Sequence, residues 1–130
     1  MDPAPIYKLL PTREWESAES TGLFTGSAVD RRDGFIHFST AAQLEETARR
    51  HFAGRTGLTL LAVGTGDLDA LKWEPSRGGD LFPHLYGDLA TTAVAWAAEL
   101  SDELLTSDAE DPGEACARAV AAALREADGH

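Results

Sequence analysis

The sequence predicts a single α+β domain of about six short, mostly antiparallel or mixed strands, with two helices in its N-terminal half and a helical appendage at its C-terminal end. Three observations lead to this fold class. The 130 residues suffice for one hydrophobic core without disulfide bonds or structural metal ions. Apolar segments of strand length are punctuated by glycine and proline. After residue 63 the connections between these segments are short enough for hairpins, which favours antiparallel pairing.

Composition and the distribution of charge narrow the classes of function. The net charge is −11, yet residues 1–100 carry 14 acidic and 9 basic side chains, while residues 101–130 carry 8 acidic and 2 basic ones. No basic stripe is available for a phosphate backbone, so duplex nucleic acid is not an expected partner. A small polar ligand fits this charge better. The expected state is a monomer or a weak homodimer.

Cysteine content and hydropathy indicate the compartment. The single cysteine, Cys116, rules out an internal disulfide. The chain shows neither a charged-then-apolar leader nor a run of about eighteen apolar residues, so export and membrane insertion are not expected. A cytoplasmic location is the resulting prediction.

Proline, threonine and glycine mark the ends of the first predicted strand and helix. Residues 5–10 read as a strand that Pro11 ends. Thr12 is a candidate N-cap for a helix through about residue 20, and Gly22 is the expected stop. Residues 22–33 then form a glycine- and charge-bearing loop that is long enough to be functional.

Residues 34–40 place a histidine where ligands often bind. In a strand, Ile36 and Phe38 face the core, while His37 and Ser39 share the opposite face near the carboxyl end. Thr40 can cap a helix over residues 41–52, whose N-terminus favours anions. A core histidine with a backbone partner is the alternative. His51, in the last turn of that helix, is assigned no chemistry.

The second half of the chain supplies the remaining strands. Residues 58–63 are almost entirely apolar and predict a central strand that is covered on both faces. Residues 71–74 form a strand with Trp73 as its core anchor. The loop 76–80 offers Arg77 and converging backbone N–H groups to an anion, although a plain turn is the alternative. Residues 81–87 put His84 and Tyr86 on one face, and residues 93–100 complete the strands.

The chain divides at about residue 101. Residues 1–101 form the predicted α+β domain, and residues 102–130 form an acidic linker followed by an alanine-rich helix over residues 114–127. Small side chains offer little burial, so this helix is expected to contribute little to the stability of the body.

Several long motifs resemble one known family. They are IYKLL, the helix ending W-x-x-A-x-x-x-G, the run G-S-x-x-D-x-x-D-G-F-I-H-F-S-T-A-x-Q-L-x-E-T, and K-W-E-P-S-R-G-G-D-L-F-P-H-L-Y-G. Together they span roughly residues 5–100 and resemble the DUF952 family of small uncharacterised proteins.

This resemblance implies a fold and a class of ligand. The family has been grouped with the ADP-ribosyltransferase superfamily, which includes the RNA 2'-phosphotransferases, so NAD or ADP-ribose is the expected cofactor. Tyr7 and Lys8 stand where those enzymes present a first-strand NAD contact. The chain departs from the pattern where many ADP-ribosyltransferases present a glutamate, because it offers His84 and Tyr86 there.

Two functional hypotheses follow. The first is an NAD-utilising transferase or phosphotransferase-like enzyme, with catalytic and ligand-binding roles for two sets of residues: catalytic His37 and His84, and binding Tyr7, Lys8, Ser39, Arg77 and Tyr86. The second is a non-catalytic ligand-binding or interaction module of the same fold. No metal site is expected, because the histidine and cysteine spacings match no compact zinc pattern. A serine hydrolase is disfavoured by the lack of a G-x-S-x-G elbow.

Overall fold

Three small antiparallel sheets and five α-helices build the computed structural model, which describes residues 4–66, 68–107 and 111–128. This arrangement confirms the predicted α+β class, with short antiparallel strands and a C-terminal helix. The strands are Ile6–Pro11 (β1), Leu23–Phe24 (β2), Ile36–His37 (β3), Leu58–Val63 (β4), Leu71–Pro75 (β5), Leu81–Leu85 (β6), Leu89–Ala90 (β7) and Val94–Glu99 (β8). The helices are Thr12–Thr21 (α1), Ala28–Asp33 (α2), Ala41–His51 (α3), Asp102–Leu105 (α4) and Pro112–Asp128 (α5).

The strand β4 lies at the centre of the main sheet, as its apolar sequence predicts. It pairs antiparallel with β1 on one side and β8 on the other. All of its side chains are buried, and its leucine and valine side chains divide between two hydrophobic clusters. Leu61 and Val63 join one cluster, while Leu58 and Leu60 join the other. The sheet is therefore covered on both faces.

The second of these clusters depends on the C-terminal helix. Leu44 and Ala48 of α3 pack in it together with Cys116 and Val120 of α5, and all four side chains are buried. This burial runs against the expectation that the helix contributes little to stability. The small residues instead allow α5 to approach α3 closely: a Cβ placed at Gly113 would lie 3.2 Å from the carbonyl oxygen of Arg49.

The sheet β3-β6-β5 brings the two predicted histidines together. Its register sets His37 opposite His84, and His84 opposite Lys72. An isolated antiparallel bridge between Tyr7 and Ser39 joins this part of the chain to β1. Ile36 and Phe38 are buried on the core side, as alternation along the strand predicts.

Thr40 caps α3 as predicted. Its hydroxyl accepts from the Gln43 backbone N–H at 3.2 Å, and the Gln43 side chain accepts from the Thr40 backbone N–H at 3.0 Å. Thr12 does not act as the N-cap of α1, because it is the first residue of that helix and its hydroxyl lies 2.8 Å from the Thr59 hydroxyl. Gly22 ends α1 in the left-handed conformation, as expected.

Two other predictions about local structure are wrong. Residues 22–33 are not a plain loop, because they contain β2 and the six-residue helix α2, which Gly34 ends with a φ of 85°. Trp73 is not a core anchor, since 47% of its surface is exposed. It lies on β5, which is one of the two edge strands of its sheet in the described part of the chain.

No helix within the described ranges is long and apolar enough to cross a membrane.

Candidate functional site

A buried carboxylate, that of Asp30, lies at the centre of the candidate site. Asp30 is in the first turn of α2, and its Oδ2 accepts from the backbone N–H of Ser27 at 2.9 Å. Its Oδ1 accepts from the backbone N–H of His37 at 3.1 Å. Only 1% of the residue is exposed. The start of a short helix therefore fixes the carboxylate in place.

Lys8 is the charged partner of this carboxylate. Its Nζ lies 3.0 Å from Asp30 Oδ2 and donates to the backbone carbonyl of His37 at 3.0 Å. The lysine is buried on β1, which brings a positive charge into the interior. The predicted role of Lys8 was to hold a ligand anion. In the structure its ammonium group pairs with Asp30 while the residue lines the cavity, and its contact with a ligand stays a prediction.

The surroundings decide the protonation of this pair. Burial raises the pKa of Asp30, but the hydrogen bond from His37 and the charge of Lys8 outweigh burial and lower it to about 2. Burial lowers the pKa of Lys8, against the opposing effect of Asp30. An ion pair satisfies both contacts of the ammonium group, because a carboxylate and a carbonyl are both acceptors. Asp30 is thus an anion at neutral pH.

The imidazole of His37 lies between two carboxylates. Its Nδ1 is 2.7 Å from Asp30 Oδ1, and its Nε2 is 3.0 Å from Asp33 Oδ2. The imidazolium form donates through both nitrogens, whereas the neutral ring donates through one. The side chain is 34% exposed, so one edge of the ring reaches solvent. A buried aspartate on Nδ1 is an arrangement that orients a histidine for acid–base chemistry.

The second histidine, His84, belongs to an aromatic row. The Phe35 ring stacks on the His84 ring with centroids 4.0 Å apart. Phe35 also contacts the rings of His37 and Tyr86. His84 Nδ1 lies 2.8 Å from Glu74 Oε1, and the Tyr86 hydroxyl donates to the same oxygen at 2.7 Å. These hydrogen bonds, that of Tyr86 first, lower the pKa of Glu74.

Five of the seven predicted site residues line a single cavity of about 480 Å³. They come from β1, from β3 and the segment after it, and from β6: Tyr7, Lys8, His37, Ser39 and His84. Tyr86 is not among the described residues that line the cavity, and it contacts the site through Glu74 and Phe35. The side chain of Arg77 lies outside the described part of the structure, although its neighbour Ser76 lines the cavity.

Several lining residues were missed by the sequence analysis. They include Asp30, Arg32, Asp33, Thr47, His51, Phe52 and Arg55. Two helices supply them: α2, and α3 with the turn after it. His51, which was assigned no chemistry, is one of them. Ser27 followed three residues later by Asp30 is a helix-start signal that could have revealed α2.

The sequence and the fold both match known proteins. Residues 9–97 match the family described as "Protein of unknown function (DUF952)". The chain belongs to the DUF952 family. The crystal structure of protein CC0527 from Caulobacter crescentus is similar to this chain: it is 49% identical in sequence, with a TM-score of 0.73 over 75% of this chain and 87% of that chain. No curated protein matches the sequence.

A second structure of the same relative, determined in solution by NMR, is also similar. It is 46% identical, with a TM-score of 0.70 over 83% of this chain and 90% of that chain. The family match confirms the resemblance seen in the motifs, and it ends before the C-terminal helix, since residues 98–130 lie outside it.

Proposed function

We propose that this DUF952 protein binds a phosphorylated nucleotide, with NAD, ADP-ribose and nucleotide monophosphates as the candidate ligands, in the cavity beside His37. One observation carries the proposal: residues that were selected from three separated segments of the sequence line the same cavity. Core packing alone gives no reason for histidine, lysine, serine and tyrosine from distant segments to meet at an open space. Ligand sites commonly combine apolar walls with a few converging polar groups.

The volume and the charge of the cavity support a phosphorylated nucleotide as the ligand. Its volume of about 480 Å³ lies within the usual range for small-molecule sites. Three basic side chains, those of Lys8, Arg32 and Arg55, line it against two acidic ones, Asp30 and Asp33. This basic balance occurs in a chain whose net charge is −11. The cavity is thus a locally favourable place for an anion on an otherwise acidic protein.

The aromatic lining supports a base or a nicotinamide ring as part of the ligand. Tyr7, Phe52 and Phe82 come from three different parts of the chain and all line the cavity. Planar heterocycles stack on such rings, and stacking tolerates different bases. The guanidinium of Arg55 lies 5.1 Å from the centroid of the Phe52 ring, which places a cation beside an aromatic surface.

Acid–base chemistry on the bound ligand would fall to His37, since Asp30 orients its ring and one edge of the ring reaches the cavity.

A non-catalytic binding module is the second candidate function, and one contact favours it. The carboxylate of Glu74 is held by His84 and Tyr86, and Glu74 is not among the described lining residues. Its carboxylate is thus engaged by two neighbouring side chains, which supports a binding module over a transferase that uses a free glutamate to orient the attacking group.

Calorimetric titration tests the proposal. Wild type is titrated with NAD, ADP-ribose and AMP, and two matched charge removals are compared: Arg55→Gln inside the cavity and Arg13→Gln on the exposed surface of α1. Arg55→Gln and His37→Ala are each expected to weaken binding by about 1 to 3 kcal/mol, the value of a charged hydrogen bond. Arg13→Gln is expected to bind as wild type does.

The same samples separate the two candidate functions. Release of nicotinamide from NAD by wild type but not by His37→Ala would indicate an enzyme, whereas binding without turnover would indicate a module. Absence of binding by wild type to every compound at millimolar concentration would overturn the proposal. Equal losses in Arg55→Gln and Arg13→Gln would place the ligand elsewhere.

A further inference from the structure

The carboxylate of Asp33 bridges a guanidinium group and an imidazole ring at the cavity. Its Oδ1 accepts from Arg32 Nε at 3.0 Å, and its Oδ2 lies 3.0 Å from His37 Nε2. All three residues line the cavity. A carboxylate and a phosphate group can both place one oxygen on each of these two donors, because each presents two oxygens about the same distance apart.

A short segment of chain creates this arrangement. Asp33 is the last residue of α2, and Gly34 turns the backbone with a φ of 85°. The turn returns the chain into β3, so His37 faces Asp33 four residues later. Arg32, Asp33 and His37 are consequently held together by local geometry.

We propose that Asp33 occupies the subsite for the phosphate group of the ligand, and that the ligand displaces it to bind Arg32 and His37. This inference rests on the proposed nucleotide binding and specifies how the anion is held. The ligand phosphate accepts from Arg32 Nε and His37 Nε2, which are the two groups that Asp33 engages in the structure. Asp33 therefore competes with the ligand phosphate for Arg32 and His37.

The exposure of the two acidic residues separates their roles. The side chain of Asp33 is 31% exposed and that of Arg32 is 73% exposed, so their contact can be exchanged for another at little cost. Asp30 is buried and receives hydrogen bonds from four groups, which keeps it in place when a ligand enters. The hydrogen bond from Arg32 lowers the pKa of Asp33. Asp33 is therefore an anion at neutral pH and competes with the ligand phosphate in that form.

Removal of the competitor provides the test. If Asp33 fills the subsite, the apparent affinity is reduced by the fraction of molecules in which the subsite is open, and Asp33→Asn should tighten binding by about fivefold or more. The matched control is Asp88→Asn, an exposed acidic residue outside the cavity lining whose replacement changes the net charge equally. Both variants and wild type are titrated with ADP-ribose and with inorganic phosphate.

Salt separates a local exchange from a general change of charge. Long-range attraction is screened between about 50 mM and about 500 mM salt, whereas direct competition for two donors persists. The expected result is a gain of about fivefold in Asp33→Asn at both salt concentrations and no change in Asp88→Asn. Arg32→Gln, which removes one donor of the subsite, is expected to weaken binding of both probes by about fivefold or more.

Each contrary result has a distinct meaning. Binding by wild type that Asp33→Asn leaves equal or weaker would overturn the inference while nucleotide binding stands. Equal gains in Asp33→Asn and Asp88→Asn would assign the effect to net charge and would also overturn it. Absence of binding in wild type and in Asp33→Asn alike would overturn both the inference and the proposed function.

Discussion

The Nδ1 atom of His37 lies 2.7 Å from Oδ1 of Asp30, a residue that the sequence places seven positions earlier in a different element. The same carboxylate pairs with Lys8 on β1. One buried charge therefore fixes the orientation of the candidate acid–base residue and joins α2, β1 and β3. The chemistry of the site and the stability of the domain are coupled through Asp30.

This coupling predicts a large effect of Asp30→Asn on stability. The substitution keeps the shape of the side chain but leaves the buried ammonium of Lys8 without its counter-charge. The expected loss is about 3 to 5 kcal/mol of the free energy of unfolding, the usual result of breaking a buried pair on one side. Equilibrium unfolding in urea, followed by tryptophan fluorescence, measures it.

A double-mutant cycle provides the control. Lys8→Met removes the other charge, and the combination with Asp30→Asn should be less destabilised than the sum of the two single changes by at least about 1 kcal/mol. Additive losses would show that the two side chains do not depend on each other in the folded protein.

The depressed pKa of Asp30 predicts a loss of stability in acid. The pKa falls from 3.8 to about 2 on folding, so the folded state holds the proton less tightly than the unfolded state does. The resulting stability is present above the unfolded pKa and is lost as the pH falls from about 4 towards about 2. It amounts to about 2 kcal/mol by linkage.

Comparison with Asp30→Asn isolates this contribution from those of other acidic residues. Unfolding free energies at pH values between about 5 and about 2.5 should fall more steeply in wild type than in the variant. Parallel curves would mean that Asp30 titrates at its ordinary pKa in the folded protein.

Local sequence patterns predicted the elements that local interactions determine. The buried strand β4, the buried positions Ile36 and Phe38 and the Thr40 cap all follow from periodicity or capping within a few residues. The helix α2 was missed because it has only six residues and is rich in charge. Its Asp30 is buried by Lys8 and His37, and no local pattern reveals partners 22 and 7 positions away.

The residues of the candidate site also differ in whether local sequence patterns could predict them. His37 and Ser39 were selected because a strand end beside a helix start favours ligands, and His84 because it shares a strand face with Tyr86. All three line one cavity. The acidic residues on α2 and the basic Arg55 reach that cavity through tertiary packing, which a sequence pattern does not record. The C-terminal helix was expected to contribute little because small residues were counted as poor burial, whereas its packing on α3 predicts a larger contribution.

Packing of the C-terminal helix predicts that Val120→Ala destabilises the domain. Val120 is fully buried in the cluster shared by α3, α5 and β4, so its truncation leaves a cavity in a packed region. The expected loss is about 2 kcal/mol in urea unfolding. Glu126→Ala, on the exposed side of the same helix, is the control and should change stability by less than about 0.5 kcal/mol. Equal effects would mean that α5 is not packed on the body.

The thiol of Cys116 reports on the same helix without any substitution. It is buried in that cluster, and burial raises its pKa from 9.0 to about 11. Because the thiolate is the reactive form, its population at pH 8 is lower by about a hundredfold, and the fold also blocks access by the reagent. Native protein should therefore react with a disulfide reagent at least about a hundredfold more slowly than the urea-unfolded chain does. The reaction in Val120→Ala should be faster than in wild type, since a weaker helix opens more often. Labelling of native wild type at the rate of the unfolded chain would show that α5 is detached from the body.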